Sequence, residues 1–251
     1  MILKDKKVLI TGGTRGLGLG LVEAFESHGA NIYVVARGTE GLEAVRSKFG
    51  VHIISGDITD EHAASHILSR TNPDITILNA GMPPPMAPLD KMNWTDFSAT
   101  WENDVKAGFY WLQAALQRPL DSGSRVLVMS SGAGHAGSPL SGGYAGAKRM
   151  LWFMAKYAND ISIKRKLGIR FQTVLPMQMV GGTGVGEAGS RAYSEDAGVD
   201  QATFLARFGT PMSPLGFGEK VLSLLQDVEY AGGFAFGVRG DGITILEQAT
   251  P

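Results

Sequence analysis

The chain has 251 residues, 44% apolar and 19% charged, with a formal net charge of −1 and no cysteine. That balance suits a soluble globule with a sizeable core and offers no long-range attraction to nucleic acid or an anionic membrane surface. It also excludes disulfides, thiolate chemistry and cysteine-ligated zinc.

Lys4, Asp5, Lys6 and Lys7 break any apolar leader, and the run Val8–Ile10 is too short for a signal core. No stretch approaches the roughly 18 apolar residues of a membrane helix, so the expectation is a cytoplasmic protein. In chain order, Val8–Thr11, Ile32–Ala36, His52–Ser55, Ile75–Asn79, Arg125–Ser130, Ile169–Leu175 and Gly233–Val238 read as strands. Most are apolar almost throughout, the pattern of strands covered on both faces. Helical patterns alternate with them over Gly16–His28, Thr39–Lys48, Glu61–Arg70, Trp94–Leu120, Gly142–Lys166 and Glu219–Leu225. Such alternation means βαβ units and a parallel sheet. The expected fold is α/β, a Rossmann-type doubly wound sheet of about seven strands with helices on both faces, in a single domain. Residues 181–216 are too long for an ordinary connection and read as a partly helical lid. Within the long helix, Trp94, Phe97, Trp101, Phe109, Leu112 and Leu116 read as a core face, with Tyr110, Trp111 and Ala114 on another side.

The first strand runs into Thr11-Gly12-Gly13-Thr14-Arg15-Gly16-Leu17-Gly18. Glycines at 12, 16 and 18 let the backbone turn sharply and approach a pyrophosphate, toward which the next helix points its free N–H groups. The alternative, a bare β–α turn, is less suited to this strand-to-helix context. The second strand ends in Ala36-Arg37, without the carboxylate that binds ribose hydroxyls in NAD-binding folds. Arg37 can bind a 2′-phosphate with its planar charged fork.

Tyr144 and Lys148 lie four residues apart, on one face of a helix. A free phenol has a pKa near 10. An ammonium about 4 Å away at an effective dielectric of about 20 contributes roughly 4 kcal/mol, which brings a phenol toward neutral pH, where it can exchange a proton with a substrate oxygen. Ser130 and Ser131 end the preceding strand at the carboxyl edge of the sheet, where a hydroxyl can polarise a carbonyl. His62 and His66 share a helix face without an evident third ligand, so no metal site is expected.

The glycine spacing, Tyr144-Ala145-Gly146-Ala147-Lys148, the serine thirteen residues before Tyr144 and Asn79-Ala80-Gly81 together resemble the short-chain dehydrogenase/reductase family, in its compact single-domain branch. The resemblance implies an NADP(H)-dependent oxidoreductase acting on a carbonyl or alcohol substrate and assembled as a homodimer or homotetramer. It selects Ser131 over Ser130, makes Lys148 a ribose ligand, and makes Arg15 a second base for the 2′-phosphate. It implies cofactor contacts for Gly12, Thr14, Gly16, Leu17, Gly18, Ile58, Ala80, Gly81, Tyr144 and Pro176. Asp57 becomes an adenine ligand, although an aspartate there equally caps a turn, and Asn79 supports the site.

Two places depart from the family. Its catalytic asparagine falls on Asp104 in an ungapped register, with Asn103 one residue early and about 100° away on an α-helix. Asp104 is then the fourth catalytic residue, and Asp104→Asn is expected to preserve or raise activity. The family's Pro-Gly is Pro176-Met177 here, and its nearby threonine is displaced to Thr183. A non-catalytic NADP(H)-binding regulator or scaffold remains the alternative, with an epimerase or dehydratase behind it.

Overall fold

The computed structural model describes residues 3–117, 120–207 and 211–249. Strand β1 (Lys7–Thr11) leads into α1 (Gly16–Ser27), followed by β2 (Asn31–Ala36), α2 (Thr39–Phe49), β3 (His52–Ser55), α3 (Ala63–Thr71) and β4 (Ile75–Leu78). Helix α4 (Trp94–Thr100) continues through a π-helical turn, Trp101–Val105, into α5 (Lys106–Gln117). Then come β5 (Arg125–Met129), the short α6 (Gly132–Ala136), α7 (Gly142–Lys164) and β6 (Arg170–Pro176). Helices α8 (Gly184–Asp196), α9 (Gln201–Ala206) and α10 (Pro214–Gln226) precede β7 (Gly233–Arg239) and β8 (Gly242–Gln248).

One sheet carries all eight strands in the order β3-β2-β1-β4-β5-β6-β7-β8. Neighbours from β3 to β7 are parallel, and β8 pairs antiparallel with β7. Alternate side chains feed two cores. Val8, Ile10, Val34, Ile77 and Leu127 join Leu21, Phe25, Phe217 and Val221 on one face. Leu9, Val35, Val126 and Val128 join Trp111, Leu112, Leu151 and Trp152 on the other. Burying each such aliphatic side chain contributes about 1.5–3 kcal/mol, which is why these strands are apolar at both parities.

The structure corrects the expected seven strands to eight. β8 is partly exposed along its length, so it lacks the continuous apolar run of a covered strand. Its signal is the turn at Gly240-Asp241 after β7. The continuous helix Trp94–Leu120 is also corrected. The π turn shifts the helical phase, so the expected core face is split: Leu112 and Leu116 are buried, but Trp94 is 75% and Phe109 50% exposed. Trp111 and Ala114 are buried instead. Residues 118–119 lie outside the described residues, and Leu120 is not helical. The last helix begins at Pro214, not Glu219, so 214–216 belong to α10 and not to the lid. Ser213 Oγ accepts a hydrogen bond from Gly216 N at 3.0 Å, and Pro214 sits in the first turn. Residues 208–210 of the lid lie outside the described residues. No helix among the described residues is long and apolar enough to cross a membrane.

Helices α1 and α10 meet through glycine. A Cβ on Gly20 would overlap the Pro214 carbonyl, and one on Gly218 would lie 2.5 Å from Gly20 O. Gly20→Ala must therefore displace α10, which outweighs the roughly 1 kcal/mol alanine gains in helix propensity. A fall in melting temperature of at least about 3 °C is expected. Gly242→Ala, with open space around the position, should leave it unchanged. Equal melting curves for the two variants would contradict the packing of α1 on α10.

Candidate active site

The connections leaving β1 and β4 run to opposite sides of the sheet, so the carboxyl ends of these adjacent strands open into a crevice. A cleft of about 1050 Å³ lies there. Its floor includes the glycine turn, the end of β4 and Met129–Ser131 at the end of β5, and α8 forms part of its wall.

Gly12 and Gly16 have φ of +69° and +55°, in the left-handed region that side chains disfavour. A Cβ on Gly12 would also sit 2.8 Å from Ala80 Cα. Both glycines line the cleft with Thr14, Arg15 and Leu17. Gly18 does not. A Cβ there would overlap Gly12 O and lie 2.6 Å from Asn79 Nδ2, so its smallness closes the turn against the protein itself. Asn79 Nδ2 donates to Thr11 O at 3.1 Å and Gly12 O at 3.3 Å, tying the end of β4 to the end of β1.

Arg15 and Arg37 are exposed on the cleft, and neither makes a salt bridge among the described residues. Gly56 and Ile58 line the cleft, but Asp57 does not. Its Oδ1 accepts from Thr59 N at 2.9 Å and Thr59 Oγ1 at 2.8 Å. Those bonds, with smaller help from Arg37 and Lys106, hold its carboxyl below the usual aspartate range. The structure thus places Asp57 as a turn cap.

The two strand-end serines separate. Ser130 is buried and donates to Lys148 O at 2.8 Å, anchoring α7. Ser131 lines the cleft as the cap of α6, accepting from Ala133 N at 3.2 Å. Tyr144 and Lys148 line the same cleft, with Nζ 5.5 Å from the phenol ring centroid. Close approach of α4 and α7 holds this helix: a Cβ on Gly143 would overlap Phe97 O, and Trp101 Nε1 donates to Gly143 O at 3.0 Å.

Asp104 lies beneath the cleft, 2% exposed, with Oδ2 3.1 Å from Lys148 Nζ. Burial opposes the charge of Lys148, but the neighbouring Asp104, with a contribution from Tyr144, outweighs it and holds the ammonium above the ordinary lysine range. Asn103 lines the cleft and donates to Asp104 Oδ1 at 2.8 Å. The expected 100° separation of the two side chains assumed an α-helix. In the wider π turn both serve one site, a placement common for π-bulges.

At the other departure, Met177 N continues the sheet by donating to Val238 O at 2.9 Å, beside Gly132 and Gly237. Pro176 lines the cleft. Thr183 does too, and caps α8 by accepting from Gly186 N at 3.0 Å. Sequence reasoning missed Ser138 and Tyr193, whose hydroxyls meet at 2.6 Å across the cleft wall. They are 55 residues apart, and no spacing rule joins them. His135 faces away from the cleft, stacked on Trp152 at 6.0 Å.

The two serines call for opposite outcomes. Ser131→Ala should lower kcat by about 10²–10³ while costing no more stability than the about 0.5–2 kcal/mol of a lost helix cap. Ser130→Ala should cost about 1–3 kcal/mol of stability and leave kcat within about threefold. Steady-state rates beside thermal melts decide it, and a reversed pattern would exchange the two roles.

Comparison with known proteins gives the same picture. The short chain dehydrogenase family model matches residues 6–188. L-fucose dehydrogenase of Rattus norvegicus is 28% identical over 178 residues, 68% of this chain and 65% of that protein. Short chain dehydrogenase/reductase AacuD of Aspergillus aculeatus is 28% identical over 152 residues, 57% of this chain and 54% of that protein. These matches thus span less than two thirds of either relative. NADP-dependent (R)-specific alcohol dehydrogenase of Lentilactobacillus kefiri is 25% identical over 184 residues, 69% of this chain and 73% of that protein. With the crevice at the β1–β4 switch and a family match over most of its length, the chain belongs to the short-chain dehydrogenase/reductase family.

Proposed function

We propose that the protein interconverts a carbonyl and a secondary alcohol with NADP(H). The observation that carries this reading is the convergence of Ser131, Tyr144 and Lys148 on the cleft that also receives the glycine turn. The cradle fits a dinucleotide, because Gly12 and Gly16 expose backbone at positive φ and α1 begins at the turn. Thr14, Leu17, Ala36, Ile58, Ala80 and Gly81 supply small or apolar walls. Arg15 and Arg37 favour a 2′-phosphate, since each lines the cleft and neither is held in a salt bridge among the described residues. The relative from Lentilactobacillus kefiri carries NADP dependence in its name, which supports the same choice.

The bound nicotinamide supplies hydride exchange. Ser131 Oγ hydrogen-bonds the substrate oxygen as negative charge grows on it. Tyr144 gives that oxygen a proton in reduction and takes it back in oxidation. Lys148 would hold the cofactor ribose, and its ammonium beside the Tyr144 ring stabilises the phenol's charge changes. A dehydrogenase and an alcohol dehydrogenase among the relatives support this reaction class.

Two substitutions test this reading. Arg37→Asp should weaken NADPH binding at least tenfold and leave NADH affinity within a few-fold, measured by calorimetry. Equal affinities for both cofactors in the unaltered protein would remove the assignment to NADP(H). Tyr144→Phe removes the transferable proton and little volume, so turnover across a ketone and alcohol panel should vanish while NADPH affinity persists. Near-normal turnover by that variant would exclude Tyr144 as the acid/base.

A further inference from the structure

Asp104 takes no part in the proton transfer described above, yet it is the one buried carboxylate among the described residues. Its oxygens face donors from three directions. Oδ1 accepts from Met82 N at 3.0 Å and from Asn103 Nδ2 at 2.8 Å. Oδ2 lies 3.1 Å from Lys148 Nζ. Gly81 makes room for this, since a Cβ there would sit 2.7 Å from Oδ2. Lys148 Nζ also donates to Met129 O at 3.4 Å and lies over the Tyr144 ring. Among the described residues, the titratable groups acting on Nζ are Asp104 from the π turn and Tyr144 from α7. The 80–82 strap and β5 present backbone at this point.

We propose that Asp104 is a positioning residue that clamps Lys148 to the 80–82 strap and supplies the counter-charge of the buried Tyr144–Lys148 pair. This rests on the reading of Tyr144 and Lys148 as the proton-transfer pair. With the phenol protonated, the trio Asp104⁻, Lys148⁺ and Tyr144 carries no net charge. Losing one proton from the pair leaves a buried net charge of −1, which low-dielectric surroundings oppose. Without Asp104 the same loss runs from +1 to neutral and is easier. The pair therefore keeps its proton to higher pH because Asp104 is there, which holds the site in the form that donates to a carbonyl oxygen. Since the two groups titrate together, the statement concerns the proton lost by the pair.

Asparagine cannot take over this task. An aspartate is acceptor-only, whereas an amide must turn its NH₂ either toward the ammonium or toward Met82 N–H. The first sets the NH₂ against the ammonium, and the second sets it against Met82 N–H and the Asn103 amide, in a buried space. On this proposal Asp104→Asn lowers activity, against the expectation drawn from the sequence.

The test has an arm that needs no substrate. With lysines labelled in the ε-¹³C position and Lys148 assigned by its loss in Lys148→Met, the titration of Lys148 is followed by NMR. In the unaltered protein it should titrate above the exposed lysines, and in Asp104→Asn at least one pH unit lower than in the unaltered protein. The limb of kcat/KM against pH that reports proton loss from the pair should move down by at least one unit as well. Asp104→Glu, which restores the charge, should keep the limb in place even if its rate is lower. Lys148 titrating with the exposed lysines in the unaltered protein would overturn the proposal even if Asp104→Asn fails to fold. A lowered rate in Asp104→Asn with an unmoved limb would overturn it too, leaving a structural role. Full activity of Tyr144→Phe would instead defeat the underlying site reading, while the lysine titration still judges the ion pair.

Discussion

Seven strands running the same way impose the main constraint on this molecule. Parallel neighbours need a crossover each, and the crossovers cover both faces of the sheet. The central strands are then largely apolar at both parities, as Val8, Leu9 and Ile10 show by feeding two separate cores. Polar side chains gather at the strand ends, while those within strands, such as Gln172, are buried and hydrogen-bonded. At the carboxyl edge the strands end in Thr11, Asn79, Ser130 and Ser131, and the cleft opens beside the β1–β4 switch with Thr11 and Ser130 buried beneath it.

The cleft is thus a by-product of topology, and its precision comes from close contacts. Thr11, Gly12, Gly18 and Asn79 lock the first turn to the end of β4. Gly143 seats α4 on α7, and Ser130 anchors the carbonyl of Lys148. These contacts fix α7, and with it the placing of Tyr144 and Lys148 beside Ser131 at the cleft. Some residues read from the sequence as cofactor contacts have a local structural role as well. Gly18 and Asp57 are examples: one closes the turn, and the other caps the chain after β3.

Much of this was legible beforehand because its signals are local. Apolar runs mark covered strands, the glycine turn marks its own tight geometry, and a Tyr–Lys spacing of four fixes a shared helix face. Where the reading slipped, the deciding information was not local. β8 is partly exposed and shows no continuous apolar run. The π turn at Trp101–Val105 leaves no simple mark, yet it rephases the helix and exposes Phe109.

The sequence by itself determined the fold class, the place of the glycine turn and the residue types that meet at the cleft, because periodicity and short spacings act within one element. Only the tertiary structure decided that Asn103 and Asp104 share one site and that Asp104 contacts Lys148 at 3.1 Å. It also decided that Ser130 and Ser131 have different neighbours, and that Tyr193 reaches Ser138. The physical reason is that side-chain partnerships between elements depend on where helices cross and in what phase they arrive. Those quantities come from packing the whole chain at once, and no window of residues contains them.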